Sequence, residues 1–496
     1  MSLILACDLG ATTFRAALLD PAGRTVAEAT AAADLPGGAT AMEADPDHWW
    51  RLLLQAVDAL AQSDAHLGLV RGVALCGLTR TQIFLDTEGR VLRPAITFRD
   101  TRAVAEADAL LARVPGDWPE RAQLNAFHPA ARLAWLAARE PGVLERLHAV
   151  LDPKDYLNFR LTGRMATDSV SGARLRATLA PWPGEGSLAG IIGLPPAIAS
   201  TRFLLPTEVL GTVRSDLPGA LAGLAGQPVF AGANDTWAAV AGLGALRPGL
   251  AYNISGTTEV LGALGTEAVE APGLLSVDWG PGLQQIGGPS QSGADSVPWL
   301  LGLLAEGSAG PAADGLQRLL ALPRDASPAL FLPFLQGERV PYWDPRLRGA
   351  WLGLNRRHGA TDLAWAVLEG VAFLNRTVLA RAEAALGLPV REIRLGGGGA
   401  ASGTWCRIKA DVTNRPIVVG EAAEPGLLGC AMLAWAGLGM FPDLAAAQRA
   451  LARPARRYEP DPARRDAYEP LYAAWTAAVA ALRPGAAELA ALRSPS

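Results

Sequence analysis

Histidine and cysteine are scarce in this chain of 496 residues, which holds five of the first and four of the second. Cys7, Cys76, Cys406 and Cys430 stand far apart, with no Cys-x-x-Cys pair, no Cys/His ligand spacing and no His-Glu-x-x-His. A zinc site and a disulfide framework are both disfavoured, and the thiols read as buried apolar groups in a reducing compartment. A surplus of positive charge is missing too. The formal net charge of −4 argues against a protein held to nucleic acid by bulk electrostatics, yet it permits a local pocket for one anionic nucleotide. The apolar opening Leu3–Cys7 lacks a basic flank and is broken at Asp8 and Gly10, unlike a signal peptide or a membrane span. The expectation is a soluble cytoplasmic protein with neither nucleic acid nor membrane as partner.

Apolar residues, by contrast, are plentiful. Half the residues are hydrophobic and 19% are charged, a balance suited to a well-buried globular enzyme. The length exceeds one ordinary core, so two large domains are expected. A short pattern occurs once in each half. ILACDLGATTFRAALLD near the start and LAYNISGTTEVLGALG near the middle each read apolar run, Gly-Thr turn, apolar run. That is the signature of a β-hairpin whose turn offers backbone N–H groups and Thr hydroxyls, donors that suit a phosphate. An ordinary hairpin with an Asx-type turn would read the same way. Between and after these hairpins strands alternate with helices, which points to an α/β architecture. Helix starts are marked at Asp45-Pro46 and at Pro153, and a stop at Gly163. The Gly/Pro-rich stretch 180–206 is expected to be irregular. The boundary is placed near 243–248, giving domains 1–245 and 246–485 and a weakly ordered tail over 486–496.

Four constellations carry candidate chemistry. In DLGATTFR, Asp8 can hold Mg²⁺ directly or through water, while Thr12, Thr13 and Arg15 can contact phosphates. In GANDTW, Asp235 stands where a strand gives way to a helix; it is either the helix N-cap or a base that orients an attacking hydroxyl, and the two roles can coexist. LGGGGAASGTW brings four glycines, Gly396–Gly399, through which the backbone can approach a flat ligand. This is not Gly-x-Gly-x-x-Gly opening a first βα unit, so a dinucleotide site is disfavoured, and a merely flexible loop is the alternative. Arg80 in GLTRTQ and Asp100 in FRDTR lie just past predicted strands, where they can meet sugar hydroxyls or simply pair with each other.

Taken together these segments resemble the FGGY carbohydrate kinases, in order and over most of the chain. GAWLGLNRRHGATDLAWAVLEG (349–370) fits the family's second signature throughout, and LPFLQGERVPYWDP before it is equally characteristic. FHPAARLAWL (127–136) resembles the first signature, with Arg132 where Lys is usual. The resemblance implies two actin-like (ribonuclease H-like) domains with a cleft for ATP and sugar between them. It also implies ATP- and Mg²⁺-dependent phosphorylation of a small sugar or polyol. Asp235 matches the catalytic base, and Asp8 the metal-associated aspartate. Thr12, Thr13 and Arg15 match the first phosphate loop, and Gly256, Thr257 and Thr258 the second. Gly397, Gly398, Gly399 and Ser402 match the adenosine region, and Asp100 the aspartate that binds sugar hydroxyls. The substrate-loop spacing is that of the xylulokinase branch, which favours a ketopentose such as D-xylulose. Thr79-Arg80 replaces that branch's Met-His, and Phe98-Arg99-Asp100 its usual Trp-Asn-Asp, so another ketose, a polyol or an aldonate stays open. A non-catalytic actin-like nucleotide binder is the reading from a different class. The oligomeric state, a homodimer included, is not fixed by the sequence.

Overall fold

The computed structural model describes residues 2–33, 42–63, 67–118, 120–182, 186–304 and 312–492. The chain divides into two compact units, each built on a seven-stranded sheet. In the first the strands run in the order Val209–Thr212, Pro228–Phe230, Val70–Gly77, Leu3–Leu9, Thr13–Leu19, Thr25–Ala32, with the short Ala233–Asn234 also paired to Val70–Gly77. The expected hairpin is present, its two strands antiparallel with Asp8 opposite Arg15. On its other side Leu3–Leu9 pairs in parallel with Val70–Gly77. A strand in that position is covered on both faces, which is why Leu3 through Cys7 are buried without alternation. The edge strand Thr25–Ala32 instead alternates between exposed and half-buried positions.

The helix Pro46–Gln62 covers this sheet with Trp49, Trp50, Leu53, Val57 and Leu60. It starts as expected: Asp45 caps it by accepting from the Asp47 N–H, and Pro46 occupies the first helical position. The helix Pro153–Thr162 ends at Gly163 in the left-handed conformation.

The second unit repeats the plan. Its strand order is Leu275–Asp278, Gln284–Pro289, Glu259–Gly265, Ala251–Ser255, Ile393–Gly396, Ile417–Gly420, Pro454–Tyr458. Ala251–Ser255 and Glu259–Gly265 form the second hairpin, and Ala251–Ser255 pairs in parallel with Ile393–Gly396. The internal echo therefore extends from the hairpin to the sheet around it. The helix Ala360–Leu386 begins where Asp362 accepts from the Gly359 N–H and ends at left-handed Gly387. Its chief packing partners are the strands Leu330–Leu332 and Glu259–Gly265 and the helix Gly403–Thr413, all in the second unit. It is long and apolar enough to cross a membrane, but 78% of its apolar window is buried in the protein, so it serves as core.

Two boundaries differ from expectation. A single cut near residue 245 misses the segment Ala422–Ala452, which belongs to the first unit. The reason is the helix Pro425–Gly437, apolar on all sides, which packs on the helix Asp235–Gly242 and on the strands Leu3–Leu9 and Val70–Gly77. The expected tail from 486 is helical as far as Ala491, continuing a helix that begins at Pro462. Among the described residues of 180–206, expected to be irregular, stand two short helical turns, Leu188–Ile192 and Pro196–Ser200, and a two-residue strand, Phe203–Leu204, paired in parallel with Thr167–Asp168.

Candidate active site

Sheet register brings two carboxylates of the first unit near each other. Asp8 sits opposite Cys76 on the neighbouring parallel strand, and Ala233 is paired to Cys76 from the far side. Two residues on, the chain turns into the helix Asp235–Gly242. The cap of that helix is Asn234, whose Oδ1 accepts from the Trp237 N–H at 2.8 Å. The alternative role considered for Asp235 is thereby filled by its neighbour. Asp235 keeps one local partner, Thr236, which donates its N–H at 2.6 Å and its hydroxyl at 3.2 Å to Oδ1.

Both carboxyls are pushed towards the neutral form. For Asp235 burial raises the pKa, and the two Thr236 donors offset only part of that. Asp8 is raised from 3.8 to about 7, first by burial and then by the charge of Asp235, with Arg15 acting in the opposite sense. Its Oδ1 is sealed from solvent and has no hydrogen-bond partner among the described residues. An unsatisfied buried acceptor next to a second carboxylate is a place where a hard cation would relieve both costs. Among the described residues no cluster of three or more acidic, His or Cys side chains holds a metal unaided. Mg²⁺ does not require one, because it binds through one or two carboxylates and keeps waters or substrate phosphates as its other ligands.

The returning segment completes this half-site. Glu424 pairs with Arg15 at 3.3 Å. A Cβ on Gly426 would stand 2.7 Å from Oδ2 of Asp8, so the absence of a side chain there is what lets the helix approach the carboxylate. The turn between the first hairpin's strands leaves Thr12 exposed and Thr13 half-buried, their hydroxyls 3.5 Å apart.

On the predicted sugar side, Arg80 has φ of 56°, a left-handed backbone uncommon outside glycine. Its carbonyl accepts from Nη1 of Arg132 at 2.5 Å. Arg132 is fully buried and also donates to the carbonyls of Ile96 and Thr97, so it fastens the Arg80 loop to the loop leading to Asp100. Arg80, Gln82, Asp152, Thr167, Ser171 and Arg174 are among the residues lining a cavity of about 30 Å³. That volume admits one small polar group or a water, not a sugar ring.

Asp100 is fully buried and forms an ion pair with Arg102. Its oxygens accept from the Arg102 guanidinium at 2.7–3.0 Å, from the Arg102 N–H and from the Met42 N–H. Burial acts to raise its pKa, but the Arg102 bonds outweigh that and hold it below the ordinary value.

In the second unit, Gly256 N–H donates to the Thr258 carbonyl across the hairpin turn, and Thr257 is exposed. The glycine loop is packed against this hairpin: a Cβ on Gly399 would fall 2.1 Å from Oγ of Ser255. The loop is a turn of 3₁₀ helix over Gly398–Ala401, entered through Gly397 at φ of 83°. Ser402 caps the following helix, accepting from the Trp405 N–H at 3.3 Å. The expected phosphate turn and adenosine loop thus adjoin within one unit. Beneath them Lys409 binds Glu259 at 2.8 Å and Asn253 at 2.7 Å, all three buried.

Residues 3–242 match the N-terminal domain of the FGGY family of carbohydrate kinases, and residues 251–438 match its C-terminal domain. This chain belongs to that family. The kinase is 29% identical to the xylulose kinase of Escherichia coli K12 over 95% of its own length and 98% of that protein's. It is 30% identical to the glycerol kinase of Aromatoleum aromaticum, covering 97% and 98% of the two chains. Its fold matches the crystal structure of xylulose kinase from Rhodospirillum rubrum with a TM-score of 0.85 at 28% identity, over 98% of this chain and 99% of that one. The two sheet-bearing units are thus the actin-like, ribonuclease H-like pair of an FGGY kinase. Sequence reasoning missed three residues that contact the candidate groups or their hairpins: Glu424 on Arg15, Gly426 beside Asp8 and Lys409 on Glu259. Lys409 could have been suspected from its rarity, since the chain has only one other lysine, Lys154. Glu424 and Gly426 carry no local signal.

Proposed function

We propose that this kinase transfers the γ-phosphoryl group of ATP to a terminal hydroxyl of a ketopentose such as D-xylulose, with Asp235 as general base. The observation that carries this reading is Asp235 itself: a half-buried carboxylate, relieved of capping by Asn234, whose desolvation makes it more basic. As the hydroxyl oxygen bonds to the γ-phosphorus, its proton passes to Asp235 and the bond to the β,γ-bridging oxygen breaks, releasing ADP. Asp8 is the residue that would hold Mg²⁺, which when bound neutralises phosphate charge. Thr12, Thr13 and Arg15 on the first unit and Gly256, Thr257 and Thr258 on the second supply N–H, hydroxyl and guanidinium donors to phosphates. Gly397–Gly399 and Ser402 form the bed for the adenosine.

Arg80 faces the sugar with its guanidinium. Asp100, engaged with Arg102, contributes by holding the wall of the sugar site and offers a sugar hydroxyl only what Arg102 leaves. The names of the relatives support the ketopentose, and Arg80 is the feature that favours a differently arranged polyol or an aldonate instead. ATP and a phosphorylated sugar fit a cytoplasmic setting. A coupled ADP-release screen over ketopentoses, ketohexoses, polyols and aldonates tests the reading. The highest kcat/KM should fall on a ketopentose. Preference for an aldonate or glycerol would overturn that substrate, and no sugar-dependent ADP release from any class would overturn the sugar-kinase role.

A further inference from the structure

A buried cation of the first unit has no part in the chemistry above. Lys154 is 1% exposed, and Asp155, Asn158 and Asp168 are wholly buried. The ammonium forms an ion pair with Asp155, another with Asp168 at 2.8 Å, and donates to the Ala231 carbonyl at 3.2 Å. Asn158, one helical turn further on, donates to the same carbonyl at 3.0 Å. Ala231 lies just past the strand Pro228–Phe230, where the regular ladder stops, and four residues before Asp235. Two side chains of the helix Pro153–Thr162 therefore hold the carbonyl that begins the turn carrying the base.

The same cluster reaches the cavity under Arg80. Asp155 accepts from the Thr167 hydroxyl at 2.7 Å, and Asp168 accepts from the N–H groups of Val170 and Ser171 at 2.8 Å each. Thr167 and Ser171 line that cavity. Burying one ammonium with two carboxylates seldom stabilises a fold more than apolar residues of similar volume would. What an apolar group cannot do is hold two carboxylates and a turn carbonyl at fixed distances.

We propose that Lys154, assisted by Asn158, is a positioning residue: it fixes the Ala231 carbonyl, and so the turn bearing Asp235, relative to the wall of the Arg80 cavity. This rests on the reading of Asp235 as the base. A displacement of about 1 Å in a reacting group costs on the order of a hundredfold in rate.

Lys154→Met alone would strand two buried carboxylates, so the main variant combines Lys154→Met, Asp155→Asn and Asp168→Asn, neutral and close in volume. Its kcat should fall about a hundredfold, with the KM for sugar and for ATP each within about threefold of the parent. Asn158→Leu leaves the ion cluster intact and removes only the second tether; it should show the same kcat-only pattern, at about tenfold. Unchanged kcat in Asn158→Leu overturns the proposal, whether or not the triple variant folds. So does a folded triple variant whose loss lies in KM alone. Asp235→Asn is assayed alongside: if it keeps normal turnover, the base reading fails, a result distinct from any outcome at Lys154.

Discussion

Replacing Asp8 by asparagine should make the ligand-free protein more stable while abolishing catalysis. The Asp8 carboxyl titrates at about 7 in the fold, against an ordinary 3.8, because burial and then Asp235 disfavour its charge. A folded-state pKa above the unfolded one means that the fold prefers the protonated form. The contribution is fully present below about pH 4 and is lost as the pH rises through 7. Three units at about 1.4 kcal/mol each give an upper bound of about 4 kcal/mol at pH 8. Asp8 is only partly enclosed as a residue, and solvent screening brings the figure to about 2 kcal/mol. At pH 5 only about one unit is at stake, about 1.4 kcal/mol before the same screening and under about 1 kcal/mol after it. Asparagine has the same shape and no charge to bury. Scanning calorimetry without nucleotide or Mg²⁺ should therefore place the first unit's transition about 4–8 °C higher in Asp8→Asn at pH 8, and no more than about 3 °C higher at pH 5. An unchanged or lower transition at pH 8, or a difference that shrinks from pH 5 to pH 8, would refute the electrostatic reasoning.

Other perturbations probe the same site from different directions. Gly426→Ala would press a methyl to within 2.7 Å of the Asp8 carboxylate; kcat should drop at least tenfold and the apparent requirement for Mg²⁺ should rise, as a metal titration of the rate would show. Arg80→Met should change the ranking of sugars by kcat/KM about tenfold or more while leaving the KM for ATP within about twofold. Uniform loss across all sugars would mean that Arg80 only supports its loop.

Much of this arrangement is local and so is legible in the sequence. The Gly-Thr turns announce both hairpins, Asp45-Pro46 and Gly163 mark helix ends, and the four glycines mark a close backbone approach. What escapes a reading of the chain is set by distant pairing. Asp8 and Asp235 become neighbours only because Leu3–Leu9 and Ala233–Asn234 both pair with Val70–Gly77. Glu424 and Gly426 join them through a helix that is apolar all round, and such a helix does not say which sheet it will cover. The choice between Asn234 and Asp235 as cap is one of geometry, since both residue types suit the position and only the bond to Trp237 decides it. Likewise Asp100 finds its cation two residues away in Arg102, where pairing with Arg80 was the simpler expectation.

The central assignment, Asp235 as the base of a sugar kinase, is tested most directly by Asp235→Asn in a coupled ADP-release assay with the preferred sugar, together with calorimetric titration of ATP. Asparagine keeps the shape and still accepts from Thr236 but cannot take up the proton. Turnover should fall at least a thousandfold, with the Kd for ATP within about threefold of the parent. Turnover within tenfold of the parent, with ATP bound normally, would contradict the assignment.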